Sequence, residues 1–566
     1  MIVLDRIRIR GFRSIHSLEI PLERPTVLIG SNNCGKSTVL KALQLTLTDE
    51  LTITRHDFHT AENKETADEI VVDIRFIPVD RKGRRLPHFD DSWTQTLGFG
   101  LATNRHQKAF FAYRTRVTWN KENNEATVVR TLITDWENEL TGEALEALLP
   151  AIKMVLLDSD DDLLSAINRP DSFLSSTYES LKAEILAHPQ YAHQPIEDLG
   201  ATLNRVSEAL EGPGSGLPDG LVLSPTTIGQ FFEWMHSDEA EEKLPVILGR
   251  GSRKTLLVLS TITLLEGLAR QSEAHGWPLF MLIAADEPEA HLHPNAQRTL
   301  MRQLMKLSHQ LLVSTHSPFV ASVVAPTAFR SMTRQGEEID VRWLPKKMSA
   351  GDLRTLSRMI IRLRGEVLFA RGLMFVEGVT EEQLIRGMFH AYFGDDPSAF
   401  GITIVGVDGM SYAPFFLLAM SLHKPFCVVS DNDGDAEHVV RKQLAEMEQK
   451  AHYDHRQNNS DVFFLSLGLA IEGELVTQLD IRAELIDALI ACSPLSNPTD
   501  KNLKAQRKHF KALSAQDLKL RLEKKKSNYS SFLGDIIEKN PYDRPLDALM
   551  PKAVWSAFQL MKTWIG

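Results

Sequence analysis

Gly30-Ser31-Asn32-Asn33-Cys34-Gly35-Lys36-Ser37 reads glycine, four residues, then Gly-Lys-Ser, which is the pattern of a phosphate-binding loop. Each residue type has a mechanical reason to be there. The glycines let backbone N–H groups curl round phosphate oxygens, Lys36 meets the β- and γ-phosphates, and the Ser37 hydroxyl ligates Mg²⁺. The flanks agree. Val27-Leu28-Ile29 is a short buried strand, and Val39, Leu40, Leu43 and Leu47 follow at helical spacing. The expected ATP contacts are therefore Gly30, Asn32, Asn33, Gly35, Lys36, Ser37 and Thr38.

A second motif complements the loop. Phe280-Met281-Leu282-Ile283-Ala284-Ala285-Asp286-Glu287 is an apolar strand ending in two carboxylates. Asp286 is placed to hold Mg²⁺ through water, and Glu287 to polarise the attacking water. About 250 residues part the two motifs, a separation that resembles ABC-type ATPase heads of the SMC kind, where a long insertion divides the domain. Pro288-Glu289-Ala290-His291-Leu292-His293-Pro294 resembles the family's continuation, and Ser314-Thr315-His316-Ser317-Pro318 its switch segment, which makes His316 the expected γ-phosphate sensor. His291 and His293 have no third ligand nearby and fit a dimer interface better than a metal site. Leu248-Gly249-Arg250-Gly251-Ser252-Arg253 stands where the family's signature belongs, with Gly251 able to approach a partner's nucleotide. It departs from Leu-Ser-Gly-Gly-Gln, having Gly249 for Ser and Ser252 for Gln.

Outward from these motifs the chain divides. Ile7 and Ile9 alternate with Arg6, Arg8 and Arg10, and Leu18, Ile20 and Leu22 alternate again, so the opening reads as strands. Further strands are expected at 71–77, 109–118, 279–285 and 311–314. Residues 1–159 read as the first lobe of the ATPase. Residues 160–245, helical and polar, read as an inserted dimerisation element, and 246–345 as the second lobe. Another strand and helix pattern starts near Leu373, and 366–566 reads as a separate α/β domain with a helical C-terminal part. At 566 residues the chain is too long for one core, and 43% hydrophobic with 24% charged is an ordinary globular balance. No apolar run reaches the roughly 20 residues needed to cross a bilayer, and no signal-peptide layout opens the chain. Three scattered cysteines (Cys34, Cys427, Cys492) offer neither a disulfide framework nor a zinc site, so a reducing, cytoplasmic setting is expected. The net charge of −11 excludes a basic nucleic-acid coat, yet 501–526 holds ten Lys/Arg against Asp517 and Glu523.

The later domain carries a second acidic constellation. Phe375-Val376-Glu377-Gly378-Val379-Thr380-Glu381-Glu382 follows an apolar strand, and Phe426-Cys427-Val428-Val429-Ser430 ends in Asp431-Asn432-Asp433. Glu381 sits on a first helical turn facing back toward Glu377, while Asp431 and Asp433, two apart, share one side of an extended segment. Four carboxylates at one sheet edge repel one another unless cations neutralise them, and hard oxygen ligands suit Mg²⁺ or Mn²⁺. The pattern resembles the Toprim fold of topoisomerases, primases and related nucleases.

An ABC-type head followed by Toprim resembles the OLD (overcoming lysogenization defect) family of ATP-dependent nucleases, from Gly11-Phe12-Arg13-Ser14-Ile15 to the C-terminal helices. The resemblance implies a further acidic ligand, for which Ile471-Glu472-Gly473-Glu474-Leu475 offers Glu472 ahead of Glu474. It also implies a lysine that stabilises charge on the scissile phosphate, and Lys526-Ser527-Asn528-Tyr529-Ser530 makes Lys526 the choice over Lys524 and Lys525. The activity it implies is ATP-linked cleavage of DNA by two metals, with Glu377, Asp431, Asp433 and Lys526 catalytic and Glu377, Glu381, Asp431, Asp433 and Glu472 as ligands. Implied with it are a homodimer or higher homo-oligomer, a helicase or reverse-transcriptase partner, and a role in phage defence or DNA repair. The alternative is an SMC-like, ATP-gated DNA clamp without nuclease activity. A topoisomerase needs a tyrosine nucleophile, and neither Tyr529 nor Tyr542 has the sequence context of one.

Overall fold

The computed structural model describes residues 1–48, 52–61, 65–147, 149–157, 269, 272, 276–290, 292–307, 309–345, 348–362, 365–495 and 499–565. The chain forms two compact units, Met1–Val341 and Arg342–Gly566. The proposed insertion at 160–245 and the signature-like run at 248–253, with Gly251, lie outside the described residues.

The first unit holds two sheets. One is largely antiparallel, in the order β2–β1–β4–β6–β7–β8 with β5 on β6. Its strands are β1 (Ile2–Phe12), β2 (Ile15–Pro21), β4 (Glu69–Pro78), β5 (Leu101–Thr103), β6 (Ala109–Asn120), β7 (Glu125–Asp135) and β8 (Leu140–Ala144). The alternation read in the opening residues is what sets its pairing: Ile7 lies opposite Ile20 and Ile9 opposite Leu18, and all four are buried. The intervening Arg6 and Arg8 pair with Glu19, and Arg10 with Glu139, on the other face.

The other sheet runs β13–β12–β3–β11–β10–β9, from β3 (Thr26–Gly30), β9 (Ile152–Leu157), β10 (Phe280–Asp286), β11 (Gln310–Thr315), β12 (Phe329–Gln335) and β13 (Glu338–Arg342). The pairs β9–β10, β10–β11, β11–β3 and β3–β12 are all parallel. Every residue of β10 and β11 is buried, as continuous apolar runs in a parallel sheet require. Helices α1 (Lys36–Leu47), α2 (Asp91–Leu97), α3 (Pro294–Leu304) and α4 (Pro318–Ala321) complete the described part. Val39, Leu40 and Leu43 of α1 join Leu28, Leu282 and Leu312 in one core.

After helix α5 (Ala350–Arg362), the second unit is built on four parallel strands in the order β15–β14–β16–β17. These are β14 (Gly372–Val376), β15 (Ile402–Gly406), β16 (Phe426–Ser430) and β17 (Asp461–Phe464). Helices α6 (Val379–Phe393), α7 (Ala413–Ser421) and α8 (Ala436–Ala451) are the crossovers. From β14 the chain goes out to β15 on one side and comes back to β16 on the other. A crevice therefore opens beyond the ends of β14 and β16, the switch point at which open α/β sheets bind ligands. The rest is helical: α9 (Ile471–Thr477), α10 (Arg482–Ala491), α11 (Asp500–Lys511), α12 (Ala515–Glu523), α13 (Lys526–Lys539) and α14 (Lys552–Ile565).

Two glycines bring α13 hard against α6. A Cβ on Gly387 would lie 2.4 Å from the Cα of Gly534, so the two backbones approach as closely as only bare glycine allows. Ser530 Oγ donates to Gln383 Oε1 at 2.8 Å beside this contact. Among the described residues no helix is long and apolar enough to cross a membrane.

Candidate functional site

At the end of β3 the chain turns through the phosphate loop into α1. Gly35 holds φ +91° at the helix start, and a Cβ on Gly30 would fall 2.2 Å from the Met332 carbonyl oxygen. Both positions need glycine, for left-handed backbone in one case and for a neighbouring strand in the other. Lys36 Nζ donates to the carbonyls of Gly30 (3.2 Å) and Ser31 (3.0 Å) and lies 3.8 Å from Cys34 Sγ. The ammonium is thus folded onto its own loop, and burial pushes its pKa down. Asn32, Asn33 and Ser37 face solvent on the rim, while Thr38 is buried and shares a hydrogen bond with Ser14 at 3.1 Å.

Parallel register carries the other candidate nucleotide residues to the same end of this sheet. Asp286 lies opposite Ser314 across β10 and β11, and Ser314 Oγ donates to its carboxylate. Glu287 follows with φ +42°, a left-handed conformation that is strained for a non-glycine residue, and its Oε1 is 3.3 Å from His316 Nε2. Burial and the nearby Lys36 charge hold the His316 pKa below its usual value. Glu289 is a residue that the motif reading passed over. It is buried and accepts from Thr315 Oγ1 and from the His316 backbone N–H (3.1 Å), which fixes the histidine's backbone. The imidazole of His293 caps α3, its Nδ1 accepting from Asn295 N–H at 3.5 Å, whereas His291 lies outside the described residues.

In the second unit, Val376 is in register with Val429. Glu377 and Asp431 therefore leave neighbouring strands at the switch point. Glu381 enters on the first turn of α6, where its Oε2 accepts the Gly378 N–H at 2.9 Å. Glu382, next to it, accepts from Gly406 N–H at 3.0 Å and so secures the end of β15 instead. Asn432 turns the other way from its neighbours and donates to the Leu465 carbonyl at 3.0 Å. That leaves Asp431 and Asp433 together on the open side.

The two glutamates of α9 have different surroundings. Glu474 accepts from the N–H (3.1 Å) and hydroxyl (3.0 Å) of Ser466 and braces that loop. Glu472, also buried, meets the Tyr529 hydroxyl of α13, which donates to it at 3.3 Å. The Asp431 carboxyl is pushed up to about 8, by burial first and then by the negative charges of Glu377, Glu381, Glu472 and Asp433. Burial, with Glu472 and Glu377 beside it, raises Glu381 as well. Five carboxylates thus share one electrostatic neighbourhood.

One further residue belongs here. The loop after β15 is stitched to Glu377, since Val407 N–H donates to the Val376 carbonyl and Gly409 N–H to the Glu377 carbonyl, each at 2.9 Å. It delivers Tyr412, whose fully buried hydroxyl faces Ser430. Neither hydroxyl oxygen has a well-formed hydrogen bond among the described residues. Burial and the charges of Glu377, Asp431 and Glu381 push the phenol up. No periodicity or motif points to this tyrosine.

An all-oxygen donor set under mutual repulsion is what a hard divalent cation would satisfy. The residues fit such a group. Of the lysines, Lys525 Nζ is engaged by the Cys492 carbonyl at 3.1 Å and Lys524 is exposed. Lys526 opens α13, its side chain outside the described residues. Tyr529 is fully buried with its phenol pushed well up, which makes it a poor nucleophile.

Comparison with known proteins agrees with this two-part description. Residues 26–322, more than half of the chain, match the family described as "AAA domain, putative AbiEii toxin, Type IV TA system". Residues 368–433 match "Overcoming lysogenization defect protein-like, TOPRIM domain", a span that includes Glu377, Glu381, Asp431 and Asp433. The chain is 24% identical over 505 residues to "Uncharacterized protein YbjD" of Escherichia coli K12 (81% of this chain, 88% of the relative). It is 25% identical over 501 residues to "OLD nuclease" of Thermus scotoductus (80% and 87%). It is also 25% identical over 455 residues to "Old nuclease" of Escherichia phage P2 (72% and 73%). The chain therefore belongs to this AAA family and, with an OLD-like TOPRIM domain following its ATPase head, has the two-domain make-up of the OLD proteins.

Proposed function

We propose that this protein is a DNA endonuclease of the OLD type, nicking phosphodiester bonds at the Toprim carboxylates under the control of ATP bound by the first unit. The observation that carries the reading is the gathering of Glu377, Glu381, Asp431, Asp433 and Glu472 at the switch point of a parallel sheet, with Asp431 raised to about 8 by burial and then by the other four. Divalent cations, Mg²⁺ or Mn²⁺, would supply an activated water and charge neutralisation of the leaving oxygen there. Glu377, Glu381, Asp431, Asp433 and Glu472 would hold them, and Lys526 would offset charge on the scissile phosphate. In the first unit Lys36, Ser37, Asp286 and His316 would hold ATP and its Mg²⁺, with Glu287 as the water-polarising carboxylate. Paired heads of two copies would close over the nucleotide, with Gly251 approaching it from the partner.

The test is plasmid nicking in Mg²⁺ or Mn²⁺, with and without ATP, by wild type, Glu377→Ala and Lys36→Ala. Glu377→Ala is expected to abolish cutting, a loss of more than about a hundredfold. Lys36→Ala is expected to change only its dependence on ATP. A wild-type protein that leaves the plasmid supercoiled under every metal and nucleotide condition would sink the reading and leave an ATP-gated DNA clamp.

A further inference from the structure

Helix α11 has very little holding it to the second unit. Of its twelve residues only Phe510 is buried. Gln506 Nε2 donates to the Ser493 carbonyl at 2.8 Å, Arg507 pairs with Asp487, and the Arg521 guanidinium covers the Phe510 ring at 5.7 Å. These attachments all use one side. Lys501, Lys504, Lys508 and Lys511 fall at steps of three, four and three residues, which puts them in a single stripe on the face turned away from Phe510. All four are exposed, and none of their ammonium groups has a hydrogen bond or ion pair among the described residues.

Such a stripe works against the helix by itself. Like charges three and four residues apart repel, and a helix that is polar nearly all round gains little from burial. An external polyanion would remove the repulsion. Duplex DNA has the reach and charge density for it. Ten residues of α-helix rise about 15 Å, and one strand of duplex DNA presents a phosphate about every 3.4 Å of its axis. Four lysines on flexible stems over that length can reach several phosphates of one duplex face.

We infer that the lysine face of α11 is a sequence-independent contact for the backbone of duplex DNA. It rests on the reading of the second unit as a DNA-cutting domain, and names the surface by which that domain holds its substrate. The same reading decides for a duplex over an acidic protein partner, and the polyglutamate arm of the test separates the two.

The test measures affinity for a fluorescein-labelled 30-bp duplex against NaCl concentration in Mg²⁺, in a Glu377→Ala background so that the probe stays whole. The full-length protein is compared with its Lys501→Gln/Lys504→Gln/Lys508→Gln/Lys511→Gln variant, with melting curves of both. The variant is expected to lose about 3 to 4 from the magnitude of the slope of log K against log [NaCl], and more than about tenfold in affinity at 100 mM NaCl. Should it melt early, Lys504→Glu with Lys508→Glu, two exposed changes, must weaken binding at least as much as two lost contacts. An unchanged slope and affinity overturn the inference, as does stripe-dependent binding of polyglutamate with none of the duplex. Nicking by the wild type is scored separately. If the slope depends on the stripe but the plasmid is never cut, the contact stands and the nuclease reading falls. If the plasmid is cut and the slope does not respond, the reverse holds.

Discussion

The two units each end a parallel sheet in a cluster of charge, and the clusters differ in what they do with it. At the nucleotide end charge is settled internally: Lys36 lies on its own loop carbonyls, Ser314 bonds Asp286, Glu289 holds Thr315 and the His316 backbone, and Glu287 meets His316. At the Toprim end five carboxylates face one another, and Asp431 is driven to about 8. In the first arrangement most of these groups have a partner within the fold, although Glu287 keeps its strained backbone. In the second, burying like charge together is tolerable only with protons or cations on hand. On the proposed function, the first unit would answer to a nucleotide and the second would be completed by metal.

The contrast can be broken most decisively at Asp431. Asp431→Asn should cut nicking by more than about a hundredfold, yet stabilise the EDTA-treated protein by about 1 kcal/mol or more in urea melts, because an amide ends the repulsion. A destabilised variant would mean that the acidic cluster is not strained. Next in size is the α6–α13 contact. Gly387→Ala drives a methyl into the Gly534 backbone at 2.4 Å, whereas a Cβ on Gly534 has its nearest contact at 3.3 Å. The first should cost about 1–3 kcal/mol and depress nicking, the second clearly less. Equal losses would show that α13 is not seated through this pair.

The gentlest test is pH. A carboxyl with a folded pKa near 8 against a reference of 3.8 binds its proton more tightly in the folded state. Its contribution is present below about pH 4 and drains away as pH rises toward 8. Chelated protein should therefore lose stability across that window, by at most about 1.4 kcal/mol per pH unit for one proton, and Mg²⁺ should flatten the slope. Asp431→Asn should flatten it too, and a slope that survives in that variant would point to another group.

What was legible in the sequence follows the same divide between local and distant causes. The phosphate loop, both Asp-containing strand ends and the first turn of α6 are local patterns of strand, turn and helix, and their residues sit at sheet ends as the alternation and apolar runs demanded. The run Ile471–Leu475 puts Glu472 ahead of Glu474 only through the family resemblance, with no physical ground in the residues themselves. What tells them apart is Ser466 on one side and Tyr529 on the other, 57 residues further along the chain. The same limit hid Tyr412 and gave Tyr529 no context. Their positions come from a loop stitched to Glu377 and from two glycines meeting between α6 and α13, neither of which leaves a periodic trace.

The seating of α13 also has a consequence in time. Glu472 finds its tyrosine on a helix made long after Glu377 and Glu381, and α14 then closes on the sheet, with Trp564 Nε1 donating to the Asn459 carbonyl at 2.9 Å. Because domains fold in order of synthesis, the nucleotide-binding unit is in place on the ribosome while the cutting site still lacks its last wall. Stalled chains ending before Lys526 should bind ATP and leave plasmid intact; nicking by them would contradict this order. On the proposed function, translation itself would act as the safety catch, arming the nuclease only when the C-terminal helices emerge.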